Sequence, residues 1–164
     1  MHLVPCPLRL AGASFVEKEL FIEKLKSIFA DKAEPWKIQM AFLYGSRAWG
    51  SPRQDSDVDL AVVFENGEMS EEEVFAAMTA ISVFLEKELG LEVNTIPIFE
   101  DFRKPMLYYN AMVKGIPVLV KDHGKYLAMR SEAIFQMEDF EIFGERWQLD
   151  VARRNLAALD HAGI

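Results

Sequence analysis

The sequence predicts an α/β (α+β) fold, and three observations predict it. Two apolar runs, Ile38–Tyr44 and Val58–Phe64, have the length and composition of buried strands. Polar segments that open on Ser-x-x-Glu precede longer stretches of helical periodicity. From about Gly124 to Ala162 the chain reads as mostly helical, so a helical C-terminal part follows the mixed region.

The elements follow in chain order. Ser14-Phe15-Val16-Glu17 has the form of a capping box and predicts a helix to about Ala30. Ile38–Tyr44 and Val58–Phe64 are strands joined by a loop. Ser70-Glu71-Glu72-Glu73 opens a second helix that ends near Gly90, with Val74, Met78, Ile81 and Leu85 as its core stripe and its acidic start matched to the helix dipole. Leu91–Ile98 is a further strand. The mostly helical stretch from about Gly124 to Ala162 has Gly144 as a candidate point of interruption. Ile134, Phe135, Met137, Phe140, Ile142, Phe143, Trp147, Leu149 and Val151 are too widely spread for one core-facing stripe. Either some of them face a partner, or two shorter helices fold back on the sheet.

With 164 residues and 51% hydrophobic content, the chain fits one compact domain with an extension, divided as 1–121 and 122–164. Its 26 acidic and 18 basic residues leave a net charge of −8, which argues against an extensive nucleic-acid surface. An anionic ligand needs local help, for which Arg47 and Arg53 are at hand. Cys6 is the only cysteine, so neither an internal disulfide nor a cysteine metal cluster is available. His2, His123 and His161 show no ligand spacing. The N-terminal residues lack a basic segment followed by an apolar run, and no stretch is apolar enough to span a bilayer, so a cytoplasmic location is expected.

Chemistry concentrates between the first two strands. Gly45-Ser46 forms a turn a short loop ahead of Asp57-Val58-Asp59. Alternation along a strand puts Asp57 and Asp59 on one face, close enough to share a divalent cation. Gly45 can take dihedrals that let a phosphate approach the backbone, and Ser46 and free amides can donate to its oxygens. Other uses compete. Asp55-Ser56-Asp57-Val58-Asp59 resembles the start of an EF-hand loop, but Leu60 replaces its glycine and Asn66 its bidentate glutamate. Arg47 suits a phosphate fork or a surface ion pair, and Trp49 suits base stacking or packing against the domain.

The run Gly45-Ser46-Arg47-Ala48-Trp49-Gly50, with Ser56-Asp57-Val58-Asp59-Leu60 after it, resembles the signature of the nucleotidyltransferase superfamily, and most closely its minimal nucleotidyltransferase (MNT) group. The likeness extends over about residues 38–121, where Met106–Val120 is similar to the helix and strand that close the MNT domain. It implies a mixed sheet flanked by helices. It also implies a magnesium-dependent enzyme that moves a nucleoside monophosphate, AMP from ATP, to a hydroxyl and releases pyrophosphate. Asp57 and Asp59 would bind metal, and Gly45, Ser46, Arg47 and Ser56 the nucleotide. MNT proteins are commonly paired with HEPN-domain toxins, so a toxin tyrosine is an acceptor the resemblance implies, with this chain as antitoxin. The superfamily's third carboxylate, which completes the metal site and serves as base, has two counterparts here. Glu92 supplies a longer carboxylate; Asn94 supplies an amide oxygen that cannot take a proton. They share a face about 7 Å apart along the strand. With Asn94 in that place, a contact-binding module without catalysis becomes the alternative. An antibiotic-modifying transferase is a weaker third reading, because the chain leaves little room for an aminoglycoside domain. Oligomeric state is left open.

Overall fold

The computed structural model describes residues 8–49, 56–65 and 69–161; of these, the side chains of 8–15, 143, 145–148 and 150–161 are left out of the description. His2, Cys6, Arg53 and Asn66 lie outside the described residues, as does the side chain of His161.

In chain order the elements are α1 (Leu8–Lys32), β1 (Ile38–Tyr44), α2 (Ser46–Trp49), β2 (Val58–Phe64), α3 (Glu71–Leu89), β3 (Val93–Pro97), α4 (Pro105–Met112), β4 (Ile116–Val120) and α5 (His123–His161). The four described strands form one sheet in the order β3-β2-β1-β4. β1 runs antiparallel to both β2 and β4, while β3 is parallel to β2, so the sheet is mixed, as the family resemblance implies. The parallel pair needs a crossover, and α3 supplies it.

Alternation sends the two sets of strand side chains into two cores. Val58, Leu60 and Val62 of β2 pack with Leu25 and Phe29 of α1 and with Val74, Met78, Ile81 and Leu85 of α3. Ala61 and Val63 face the other way, with Met40 and Phe42 of β1, Tyr108, Ala111 and Met112 of α4, and Met129 and Ala133 of α5. A register shift between Ile38 and Met40 lets Ile38 and Ala41 share a face despite their odd separation. Asp57 and Asp59 have the parity of Ala61 and Val63, so they leave the sheet on the α4–α5 side.

The second predicted helix has the ends its sequence signals. Ser70 Oγ accepts from the Glu73 backbone N–H at 3.2 Å, Glu73 Oε2 accepts from the Ser70 N–H at 2.8 Å, and Gly90 closes the helix at φ 68°. Ser70→Ala is expected to lower stability by about 1 kcal/mol without altering ligand binding, measured as the shift in urea midpoint.

Three expectations are corrected. α1 begins at Leu8, so Ser14 lies inside the helix and is not its cap; a capping residue needs non-helical backbone. The Gly-Ser loop contains the short helix α2. α5 runs unbroken through Gly144, because an interior glycine costs only about 1 kcal/mol relative to alanine and need not end a helix. There are not two shorter helices folding back. Met129 and Ala133 are buried near the start of α5, whereas Phe135, Phe140, Ile142 and Leu149 are exposed. Among the described residues, no helix is long and apolar enough to cross a membrane.

Candidate active site

Two strand ends meet to build the site. Tyr44, the last residue of β1, stands opposite Asp59 in the β1–β2 register, and the chain then turns at Gly45 with φ 73°. That turn places the Gly45 Cα against the Asp59 carboxylate. A Cβ on Gly45 would collide with Asp59 Oδ2 and lie 3.2 Å from its Cγ. Glycine is therefore needed twice, for its positive φ and for the absence of a side chain. The Gly45 carbonyl accepts from the N–H groups of Ala48 and Trp49 at 3.1 and 3.2 Å, which starts α2. Ser46 is exposed at its head.

On the other side of β2, the parallel register sets Asn94 of β3 beside Asp59. Asn94 Nδ2 donates to Asp57 Oδ2 at 3.2 Å, and a hydrogen bond from the same side chain also draws down the pKa of Asp59. The amide thus serves both carboxylates. The Asp59 pKa is nevertheless raised overall, first by burial and then by the charge of Asp57. Burial and the nearby Asp59 charge push the Tyr44 phenol up to about 12, so it stays a neutral donor at neutral pH. Two half-buried, mutually repelling carboxylates are hard oxygen donors, and a divalent cation would relieve the repulsion that raises Asp59. The donor set therefore fits magnesium.

Glu92 lies ahead of β3 with its side chain exposed, and its carbonyl accepts from the Val58 N–H at 2.8 Å. Among the described residues, no third Asp, Glu, His or Cys joins Asp57 and Asp59 in a group able to hold a metal ion. Of the two alignments left open by the sequence, the observed register sets Asn94, not Glu92, against the pair.

Of the predicted phosphate residues, Gly45 and Ser46 lie at the turn, and Arg47 and Ser56 are joined to each other. Arg47 Nε donates to the Ser56 carbonyl at 2.8 Å, and its guanidinium carbon lies 5.4 Å from the centre of the Phe21 ring. Arg47 thus ties the end of α2 to the residue just before Asp57. Lys18 Nζ donates to the Ala48 carbonyl at 2.6 Å, so α1 fixes α2 from behind. Trp49 is 56% exposed, and Lys114 Nζ sits 5.9 Å from its ring centre and 5.2 Å from that of Tyr109. Sequence reasoning missed Lys18 and Phe21, whose positions thirty residues away carried no local signal. Tyr44 was legible in principle, since it directly precedes the turn at the end of a strand.

Comparison with known proteins agrees with this geometry. The family model for polymerase beta, nucleotidyltransferase, matches residues 23–124, which include β1 through β4. The chain is 33% identical over 75 residues to a candidate protein adenylyltransferase of Methanocaldococcus jannaschii, covering 46% of this chain and 69% of that protein. Among solved structures it is similar to a toxin-antitoxin complex with AMP-PNP, at a TM-score of 0.62 and 16% identity over 77% of this chain and 98% of that one. It is similar also to a tri-AMPylated Shewanella oneidensis HEPN toxin in complex with MNT antitoxin, at a TM-score of 0.58 and 14% identity over 80% and 98% of the two chains. The MntA-HepT toxin-antitoxin structure aligns at a TM-score of 0.57 and 16% identity, over 82% of this chain and 98% of that one. A matched span that includes the Gly-Ser turn, the Asp pair and all four strands places this chain in the polymerase beta nucleotidyltransferase family.

Proposed function

We propose that this protein is a magnesium-dependent nucleotidyltransferase that transfers AMP from ATP to a hydroxyl, with a tyrosine of a HEPN-domain toxin as acceptor and antitoxin action as the outcome. The observation that carries this reading is the Asp59 carboxylate set against the positive-φ turn of Gly45, with Asp57 beside it on the same face of the strand. Asp57 and Asp59 hold the metal, and Gly45 and Ser46 bind the triphosphate. Bound magnesium supplies charge neutralisation on the phosphates and polarises the phosphoryl group under attack. Arg47 acts by securing the backbone at Ser56, which fixes where the Asp strand begins. Tyr44 offers a neutral O–H beside Asp59.

In the reaction the acceptor oxygen bonds to the α-phosphorus as the bond to pyrophosphate breaks, and the hydroxyl proton passes to water. Asn94 cannot take that proton. A phenol, with a pKa near 10, gives it up far more readily than an aliphatic alcohol, so an amide at this place is compatible with a tyrosine acceptor. The structurally similar complex of a tri-AMPylated HEPN toxin with an MNT antitoxin supports a HEPN-domain protein as the acceptor. The neighbour with AMP-PNP supports an adenine nucleotide as donor.

Asn94 also favours a second reading, a module of this fold that neutralises its partner by contact alone. Calorimetry of ATP binding, with and without magnesium, separates the two. Wild type is expected to bind ATP only with the metal, and Asp57→Asn/Asp59→Asn is expected to lose at least about 100-fold in affinity, given that even outer-shell partners of a metal are worth 10–100-fold. Metal-independent binding, or a double variant that binds as wild type does, would leave contact inhibition as the better account.

A further inference from the structure

We infer that Lys114, at the turn between α4 and β4, binds the β- and γ-phosphates of the nucleotide and holds pyrophosphate as it leaves. The inference rests on the nucleotidyl-transfer reading above and adds the cation that the departing group meets.

The fold brings Lys114 to the Gly-Ser turn. β4 pairs with β1 so that Ile116 stands opposite Leu43, which lies two residues before Gly45. Gly115 permits this approach: a Cβ there would collide with the Ala111 carbonyl oxygen and lie 2.8 Å from that of Leu43. Lys114 therefore stands at the sheet edge where β1 ends in Tyr44 and β2 carries Asp59. Its Nζ is 5.2 Å from the ring centre of Tyr109 in α4, the helix that packs on the face from which the Asp pair projects.

α2 supplies the link to Ser46. Residues three apart share a face of a helix, so Ser46 and Trp49 lie together, and both are exposed. The two residues between them turn the other way: Arg47 lies against Phe21 of α1, and Ala48 is buried in the core that α1 covers. The Ser46–Trp49 face is left open, and Lys114 Nζ stands 5.9 Å from the Trp49 ring centre. At 1.5 Å rise per residue, Ser46 and Trp49 are about 4.5 Å apart along the axis, short enough for one triphosphate to lie along both.

Charge selects the ligand. In a chain of net charge −8, Lys114 is exposed and forms no ion pair among the described residues. The Trp49 and Tyr109 rings attract its ammonium and so position it, but they do not neutralise it. A positioned ammonium with three donors and no acid partner suits phosphate oxygens. With the α-phosphate at the Asp pair and Ser46 beside it, the β- and γ-phosphates extend along α2 to Lys114. As the bond from the α-phosphorus to the bridging oxygen breaks, its electron pair stays with pyrophosphate. Lys114 offsets the charge that gathers there.

The test is calorimetry, with magnesium, of ATP and of inorganic pyrophosphate binding to wild type, Lys114→Met and Lys114→Arg, with thermal midpoints measured alongside. Methionine keeps a flexible apolar side chain against both rings and removes the charge, whereas arginine keeps the charge. Lys114→Met is expected to bind ATP and pyrophosphate each about tenfold or more weakly, at an unchanged midpoint, and Lys114→Arg to stay within about threefold of wild type. Wild-type affinities in Lys114→Met overturn the proposal, as does a loss that comes with a fall in midpoint, which marks Lys114 as a packing residue. A loss for ATP alone, or a wild type that binds ATP but not pyrophosphate, also overturns it and leaves the enzyme reading standing. A wild type that binds neither ligand removes the nucleotidyl-transfer reading and the role of Lys114 with it.

Discussion

Gly45→Ala is expected to reduce AMP transfer by about 100-fold or more while leaving the protein folded. A methyl group at this position collides with Asp59 Oδ2 and sits 3.2 Å from its Cγ, and the backbone at φ 73° is one that an L side chain adopts only at a cost of about 1–2 kcal/mol. The strain is local and small beside the stability of a domain, but the carboxylate must move. A displacement on the order of 1 Å at a catalytic group can cost about 100-fold. The measurement is transfer rate from labelled ATP alongside circular dichroism and a thermal midpoint. A variant that transfers AMP at the wild-type rate would show that Asp59 need not lie where the turn holds it.

The second large effect is expected from Asp59→Asn, which should abolish magnesium-dependent transfer and at the same time stabilise the metal-free protein at neutral pH. The sign follows from linkage. The folded-state pKa of Asp59 is raised, first by burial and then by Asp57, so between its unfolded and folded values the native state binds the extra proton. Stability of the metal-free wild type therefore falls as pH rises through that window. Asparagine carries no charge at any pH and escapes the loss. The stability difference between variant and wild type should accordingly vanish below the ordinary aspartate pKa of about 3.9. Urea midpoints across pH, without metal, give this directly. Saturating magnesium should narrow the gap at neutral pH, since under the proposed reading the cation would bind the native carboxylate pair and not the unfolded chain. A destabilised Asp59→Asn at neutral pH would contradict the burial and repulsion attributed to this site.

These two effects belong together. A site that crowds carboxylates keeps its folded state under electrostatic load until a cation arrives. The same pair that makes the metal-free protein less stable is the pair proposed to bind metal, and loss of activity should therefore accompany a gain in stability. That opposition distinguishes a functional pair from a structural one, whose removal lowers both.

Much of the fold was legible because its signals are local. β1 and β2 begin and end where the apolar runs do, and α3 is framed by Ser70 and Gly90, since capping and left-handed closure depend on residues within one turn of the helix end. Where a local signal misled, the surrounding backbone prevailed. Ser14-Phe15-Val16-Glu17 matches a capping box, yet residues from Leu8 onward already take helical backbone. Gly144 marks no boundary, because helical residues on both sides continue the hydrogen-bond ladder. Lys18 and Phe21 hold α2 and Arg47 in place across nearly thirty residues, a relation that no spacing within a short window encodes.

By itself the sequence determined the α/β class, from apolar runs alternating with capped helical segments, and the strand-turn-strand unit with Asp57 and Asp59 on one face, from the two-residue period of a strand and the turn chemistry of Gly45. The tertiary structure alone decided which of Glu92 and Asn94 stands against that pair. Glu92 and Asn94 lie on the same face, so alternation cannot choose between them. The choice comes from the register of a parallel pairing between strands separated by the whole of α3, which sets Asn94 beside Asp59.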